Sequence, residues 1–355
     1  MIVSSVKRIS QNVKNKVVQY ITGLIVAPKK KSCTEMAKAL SISHDFLTRA
    51  LDDEDLLVCI PYAFIELVKQ YSIKKKGWLI IDDTLIAKIF AKSIEGIESH
   101  FDSSTRRNLH GYSAVVLAWT NGKITIPLDF EFWFSKDLVQ PDAYFTKIQI
   151  AQSLIKKIIE VIEIKGILLD GLYASKEMIR FLNKSQIRFE MRMHSNRVIT
   201  LPNNEKVKLK NTRHLKMYKN QHAKTIRAIW KDIQLYFTAE LRKDKHGKKS
   251  IVFIVSNWDA PSSQHVKTYA MRWPIEMIFR TSKQYLGLQH CMSRSIEKQK
   301  NHIYFVFFCY TFLQQYVDRK TFKSVEDVIK HLLELKPFRL AKRIASFTQI
   351  FDCFA

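Results

Sequence analysis

The sequence predicts an α/β protein: a mixed sheet with flanking helices, a helical region ahead of it and a strand-rich block inserted before its last helices. Three observations carry that expectation. Apolar residues up to position 75 recur at helical spacing, extended runs take over after a lysine cluster at Lys74 to Lys76, and from there strands and helices alternate.

Each element has its own signal. Within residues 1–75, SCTEMAKALSISHDFLTRAL (Ser32 to Leu51) reads as a helix, a turn at Ser41 to Ser43 and a second helix capped by Ser43. That is the outline of a helix-turn-helix that could touch DNA, and equally of any small helical hairpin. The run Lys74 to Lys76 with Gly77 marks a boundary. WLIIDDT (Trp78 to Thr84), YSAVVLAWT (Tyr112 to Thr120) and KITIPLDFEFWF (Lys123 to Phe134) then read as three strands, the last two joined by an Asn121-Gly122 hairpin turn. A helical stretch from Tyr144 to Ile164 follows, then the short apolar strand in GILLDGLYAS (Gly166 to Ser175), a helix from Ser175 to Asn183 and the strand RFEMRM (Arg188 to Met193). Three strands, helix, strand, helix, strand is the order of a ribonuclease-H-like core, here residues 76–193.

Residues 194–257 are lysine-rich and strand-forming (KTIRAIWKDIQLYFTAEL, then SIVFIVSN) and read as a β-rich insertion. The core resumes over 258–320, and 321–355 read as a C-terminal helical segment.

Composition narrows the partner. With 58 Lys+Arg against 33 Asp+Glu the formal net charge is +25, spread through the chain, which favours a polyanion and above all nucleic acid. An anionic membrane is the weaker reading, because the longest apolar run, Ile303 to Leu313, is too short to span a bilayer and suits a buried helix. Met1 to Leu24 has no compact apolar core of a signal peptide. The five cysteines are scattered without a CxxC, which speaks against a disulfide framework and a zinc site and for a cytoplasmic protein.

The chemistry lies in carboxylates. Asp82 and Asp83 close the first core strand, Asp170 closes the fourth, and Glu276 falls in YAMRWPIEMIFRTSKQYLGL (Tyr269 to Leu288) after the insertion. If the first and fourth strands are neighbours, their ends and that helix meet at one point. Carboxylates converging there repel one another unless divalent cations neutralise them. Hard oxygen ligands favour magnesium or manganese, and two such ions activate water and stabilise the leaving oxygen of a phosphodiester. A basic protein bringing such a site to a polyanion is a nuclease or a strand transferase. In a helix, Tyr269, Arg272, Glu276 and Lys283 fall within an arc of about 60° and form a polar stripe. Pro274 interrupts it: either the helix kinks there or the helix proper starts at Pro274. Taken alone, Arg272 and Glu276 also fit an ordinary exposed ion pair, and the aspartates ordinary turn residues.

The spacing of Tyr269, Arg272, Glu276 and Lys283 resembles the Tyr-Arg-Glu-Lys signature of bacterial insertion-sequence DDE transposases. The D-x-T of Asp82 to Thr84 and the D-G-x-Y of Asp170 to Tyr173 are similar to that family's two aspartate motifs. The resemblance covers roughly Trp78 to Gln315. It implies a ribonuclease-H-like enzyme that cuts and joins double-stranded DNA at transposon ends and into target DNA, by cut-and-paste transposition through a hairpin intermediate. It implies two magnesium or manganese ions held by Asp82, Asp170 and Glu276, phosphate binding by Tyr269, Arg272 and Lys283, and a homodimer in the DNA complex. By the same analogy an aromatic side chain of the insertion stacks on a displaced base, with Trp230 as the candidate and Trp258 not excluded. Strand alternation lets only one of Asp82 and Asp83 serve; the D-x-T alignment selects Asp82. A transposase-derived DNA-binding protein without catalysis and a ribonuclease-H-like nuclease are the alternatives.

Overall fold

The structure, a computed structural model, describes residues 10–73, 75–89, 91, 93–102, 105–218, 221–243, 246–318 and 321–354. Residues 1–9 and Lys74 of the boundary cluster lie outside them.

Four helices come first: α1 (Gln11–Val26), α2 (Cys33–Leu40), α3 (His44–Ala50) and α4 (Asp55–Ser72). The Ser41 to Ser43 turn is as the sequence indicates. Ser41 takes the left-handed conformation that ends α2, and the Ser43 side chain accepts from the Asp45 backbone N–H to start α3.

The strands are β1 (Gly77–Ala87), β2 (Glu98–Asp102), β3 (Arg107–Thr120), β4 (Thr125–Trp133), β5 (Ile164–Leu169), β6 (Phe189–Met193), β7 (Val198–Thr200), β8 (Lys206–Lys208), β9 (Ala223–Trp230), β10 (Ile233–Lys243) and β11 (Lys249–Ser256). They form a single sheet in the order β2-β3-β1-β5-β6-β11-β10-β9-β7-β8, with β4 also on β3. The hairpin at Asn121-Gly122 closes as its residues require. Asn121 Oδ1 accepts from the backbone of Lys123 and Ile124, and Gly122 has φ of +87°. Strand β1 lies antiparallel to β3 and parallel to β5, which is parallel to β6, so the first and fourth core strands are neighbours. Gly166 permits the close packing here: a Cβ on it would fall 2.4 Å from the Arg188 carbonyl oxygen. Strand β2, half-exposed and without apolar alternation, carries no signal in the sequence.

The strand-rich block does not form a sheet of its own. It joins the core sheet through β11, which pairs antiparallel with β6 from Phe253↔Met193 to Ser256↔Glu190. Two helices pack on the sheet between its strands, α5 (Lys147–Ile159), started by a capping box of Thr146 and Gln149, and α6 (Lys176–Lys184), capped by Ser175.

After β11 come α7 (Ser262–Ala270), α8 (Pro274–Gln284), α9 (Ile296–Asp318), α10 (Val325–Leu333) and α11 (Pro337–Phe347). The run Ile303 to Leu313 is the middle of α9 and is buried along its whole length, which is why it is apolar on every side. No described helix is long and apolar enough to cross a membrane. Helix α1 packs on α9, α10 and α11, so the first and last helices of the chain share one apolar core that continues into the sheet.

Candidate active site

Strand pairing brings the two aspartate motifs together. In the parallel β1–β5 pair the last register partners are Ile81 and Leu169. Asp82 and Asp170 are the next residues on each strand, and neighbouring strands are about 4.8 Å apart. Beyond this point β5 stops while β1 continues along β3 to Ala87, so Asp170 turns away into a short helical turn, Gly171–Tyr173, beside the continuing strand. That divergence opens the cleft in which the carboxylates sit.

The doubled aspartate resolves by alternation. Asp82 accepts a hydrogen bond from Arg272 Nη1 at 2.6 Å, whereas Asp83 is held by Lys147 Nζ, also at 2.6 Å, at the start of α5. The two carboxylates are thus committed to different partners on different sides of the strand.

The third motif differs from a continuous stripe. Helix α7 ends at Ala270, the chain turns through Met271 to Trp273, and α8 begins at Pro274. Pro274 sits at the first position of a new helix, where its missing N–H costs nothing, so Tyr269, Arg272 and Glu276 come from three successive pieces of chain rather than one helix face. They still converge. Arg272 spans Asp82 and Glu276, its Nη2 donating to Glu276 Oε1, and its guanidinium carbon lies 5.8 Å from the centre of the Tyr269 ring. Lys283 stands apart from this group: it lies toward Asp102 at the end of β2, and burial draws its ammonium pKa down.

Burial dominates the electrostatics of the cleft. Burial pushes the Asp82 carboxyl up to about 7; Arg272 opposes the shift, and Asp170 and Asp83 add to it. Tyr173, fully buried beneath the aspartates, has its phenol raised by burial and by Asp83, Asp82 and Asp170. Tyr269 is likewise raised to about 12, by burial first. One guanidinium therefore serves two carboxylates, with Asp170 beside them.

Hard oxygen donors on half-buried side chains are of the type that suits divalent cations. Among the described residues no three His, Cys, Asp or Glu side chains stand close enough to enclose an ion. The space between Asp82 and Glu276 is taken by Arg272, which neutralises both carboxylates.

The whole arrangement falls within residues 79–312, which match the family model described as transposase DDE domain. The chain belongs to that family. A comparison with curated proteins found no match. The protein is therefore a transposase, an enzyme that cleaves and transfers strands of DNA on a ribonuclease-H-like fold.

Trp230, the aromatic residue named for base stacking, is packed in this structure. It is the last residue of β9 before a two-residue turn in which Lys231 and Asp232 both have positive φ, and its ring points into the core at 3% exposure. In the structure it is a core side chain: the hairpin leaves it facing inward, and the Lys231 ammonium lies 4.9 Å from the centre of its ring. Trp258 is also packed, against Trp78 and His265.

The transposase holds two further polar links at the site that sequence reasoning missed. One is Lys147 on Asp83. The other is a buried pair of Glu190 on β6 and His265 on α7, with Nδ1 and Oε1 2.6 Å apart and both side chains 0% exposed. Burial pushes the Glu190 carboxyl up to about 7. His265 precedes Tyr269 by one helical turn, so the pair anchors α7 where that helix delivers Tyr269 to the cleft.

Proposed function

We propose that this transposase belongs to the Tyr-Arg-Glu-Lys signature group and performs cut-and-paste transposition of a bacterial insertion sequence through a hairpin intermediate, acting as a homodimer on paired DNA ends in the cytoplasm. The observation that supports the reading is that Arg272 bridges Asp82 and Glu276 where β1 and β5 diverge, with Asp170 the residue that follows the last pair of the neighbouring strand.

Asp82, Asp170 and Glu276 would hold two divalent ions, magnesium or manganese, which when bound supply an activated water or hydroxyl and a counter-charge for the departing oxygen. The remaining work belongs to side chains of the chain. Arg272 can present two parallel donors to a phosphate, and moving it from the carboxylates to DNA frees Asp82 and Glu276 together. Tyr269, held by α7, offers its hydroxyl from below the guanidinium. Lys283, near the end of α8, binds a phosphate as a point charge. Recognition of terminal repeats falls to the helices of residues 1–75, with α2 and α3 as the DNA-contacting pair.

Single Ala substitutions of Asp82, Asp170 and Glu276 test this. With labelled element ends and magnesium, each variant should lose cleavage and joining while DNA affinity, which rests on Lys and Arg contacts to phosphates, stays near that of the wild type. Retained cleavage by Glu276→Ala would sink the assignment, and cleavage without joining by the wild type would reduce the protein to a nuclease.

A further inference from the structure

A second concave surface lies at the opposite end of the parallel strands from the carboxylates. It is a cavity of about 760 Å³ lined, among the described residues, by five cations, Lys75, Lys76, Lys165, Arg188 and Lys267, and by no carboxylate. These residues come from the entry to β1, from β5, from the entry to β6 and from α7, so four separate stretches of chain converge to place positive charge in one groove. All five are exposed. Lys76 pairs with Glu163, itself an exposed residue outside the lining. The Arg188 guanidinium lies 5.4 Å from the centre of the Trp258 ring, within range of a cation–π attraction. Such a surface costs self-repulsion, and a closely spaced row of negative charges relieves it.

The groove adjoins the catalytic cleft across a single peptide bond. Met271 lines the groove, and Arg272, the next residue, reaches Asp82. Measured along the strands, Gly77 and Ile164 at the groove end precede Asp82 and Asp170 by five and six residues. At about 3.3 Å per residue that is roughly 17–20 Å. Successive phosphates of one strand advance about 3.4 Å along a duplex axis, so this separation corresponds to about five to six base pairs.

We propose that this groove is a second DNA-binding site, which grips the sugar-phosphate backbone of a duplex about five to six base pairs from the bond that is cut. The proposal rests on the catalytic reading of the carboxylate cleft for its reference point. The same backbone chemistry is offered by the element's own end and by the flanking or target DNA on the other side of the junction.

The test measures binding alone, in EDTA, with the full chain and a labelled duplex of about 30 base pairs spanning the junction of element and flank. Replacing Lys165, Arg188 and Lys267 together by Ala removes three phosphate contacts, so the slope of log affinity against log salt should become shallower by about 2.7, at about 0.9 per contact. Replacing Lys206, Lys208 and Lys210 at the far edge of the sheet changes the net charge equally and should leave the slope nearly unaltered. Equal effects of the two triple variants would show a diffuse field rather than a site, and an unchanged slope in the first would remove the groove from the DNA path. Should the first triple variant fail to fold, Lys165→Ala and Lys267→Ala singly should each lower the slope by about 0.9.

Neutral methylphosphonates placed one at a time along the duplex then locate the contact. Wild-type affinity should fall at positions about five to six base pairs from the cut, on the element side or on the flank side, and the triple variant should be insensitive there. Loss confined to the element side identifies the element end as occupant, and loss on the flank side identifies the flanking or target DNA. No sensitive position at that distance overturns the proposal. Because no cleavage is read, these outcomes are independent of whether Asp82→Ala abolishes catalysis.

Discussion

Raising the pH should weaken the metal-free transposase through a single carboxyl. Asp82 has its folded-state pKa raised from the ordinary value of 3.8 to about 7, by burial first and with the charges of Asp170 and Asp83 adding to it against Arg272. A raised pKa means that the folded state prefers the protonated form. The stability contributed by that preference is fully present below about pH 4 and is lost as the pH climbs through 7. At about 1.36 kcal/mol per pKa unit the whole loss is about 4 kcal/mol. Other groups titrate over the same range, so the informative quantity is the difference between the wild type and Asp82→Asn, whose amide does not titrate. Urea unfolding in EDTA, repeated from pH 4 to pH 8.5, should give a difference curve that falls against the wild type between pH 4 and 7 and is level above pH 8. Magnesium added at pH 8 should restore the wild type and leave the variant unmoved, because binding to the folded state alone shifts the equilibrium. A level difference curve across the entire range refutes the argument that burial holds Asp82 toward its protonated form.

Two further outcomes follow from individual contacts. Asp83→Asn weakens the bond to Lys147 but leaves the cleft's donors in place, so end cleavage should persist where Asp82→Asn abolishes it, and the reverse pattern in the same assay would move the assignment by one residue. Trp230→Ala should act on the fold rather than on DNA, lowering stability by about 3–5 kcal/mol in chemical denaturation at low temperature while the surviving folded protein keeps its cleavage rate; a stable variant blocked at the hairpin step would restore the stacking role to this residue.

How much the sequence revealed depends on how far each signal reaches along the chain. Asp82 and Asp170 are legible because each closes an apolar strand, and a parallel pairing of those strands leaves their ends side by side. The hairpin at Asn121-Gly122 is legible for the same local reason: two residues decide it. Pro274 shows the edge of this legibility. Both a kinked helix and a fresh helix start fit its chemistry, and only the packing of α7 on the sheet and of α8 against β1 and β4 decides for the second. Trp230 marks another limit, since its inward direction depends on a Lys231-Asp232 turn that carries no glycine to announce it. The bond from Lys147 to Asp83 and the pair of Glu190 with His265 join residues 64 and 75 positions apart, and no motif foretells such partners. The same holds for the basic groove, whose cations are unremarkable lysines and an arginine until four segments bring them together.

The continuity of the sheet has a bearing on how the active site keeps its dimensions. From β1 through β5 and β6 to β11 the strands form an unbroken ladder, so β11, from which the next helix sets out, is spaced from β1 by three strand intervals, about 14 Å, as though by a ruler. Ser256, the last residue of β11, and Glu190 on β6 both touch His265, which transfers that measured position to α7. Loops between β6 and β11 can therefore grow or shrink without altering the distance. A slip of β11 by one residue against β6 cannot be absorbed in that way: it would turn Ser256 to the other face of the sheet and leave Tyr269 and Arg272 out of reach of the carboxylates they serve.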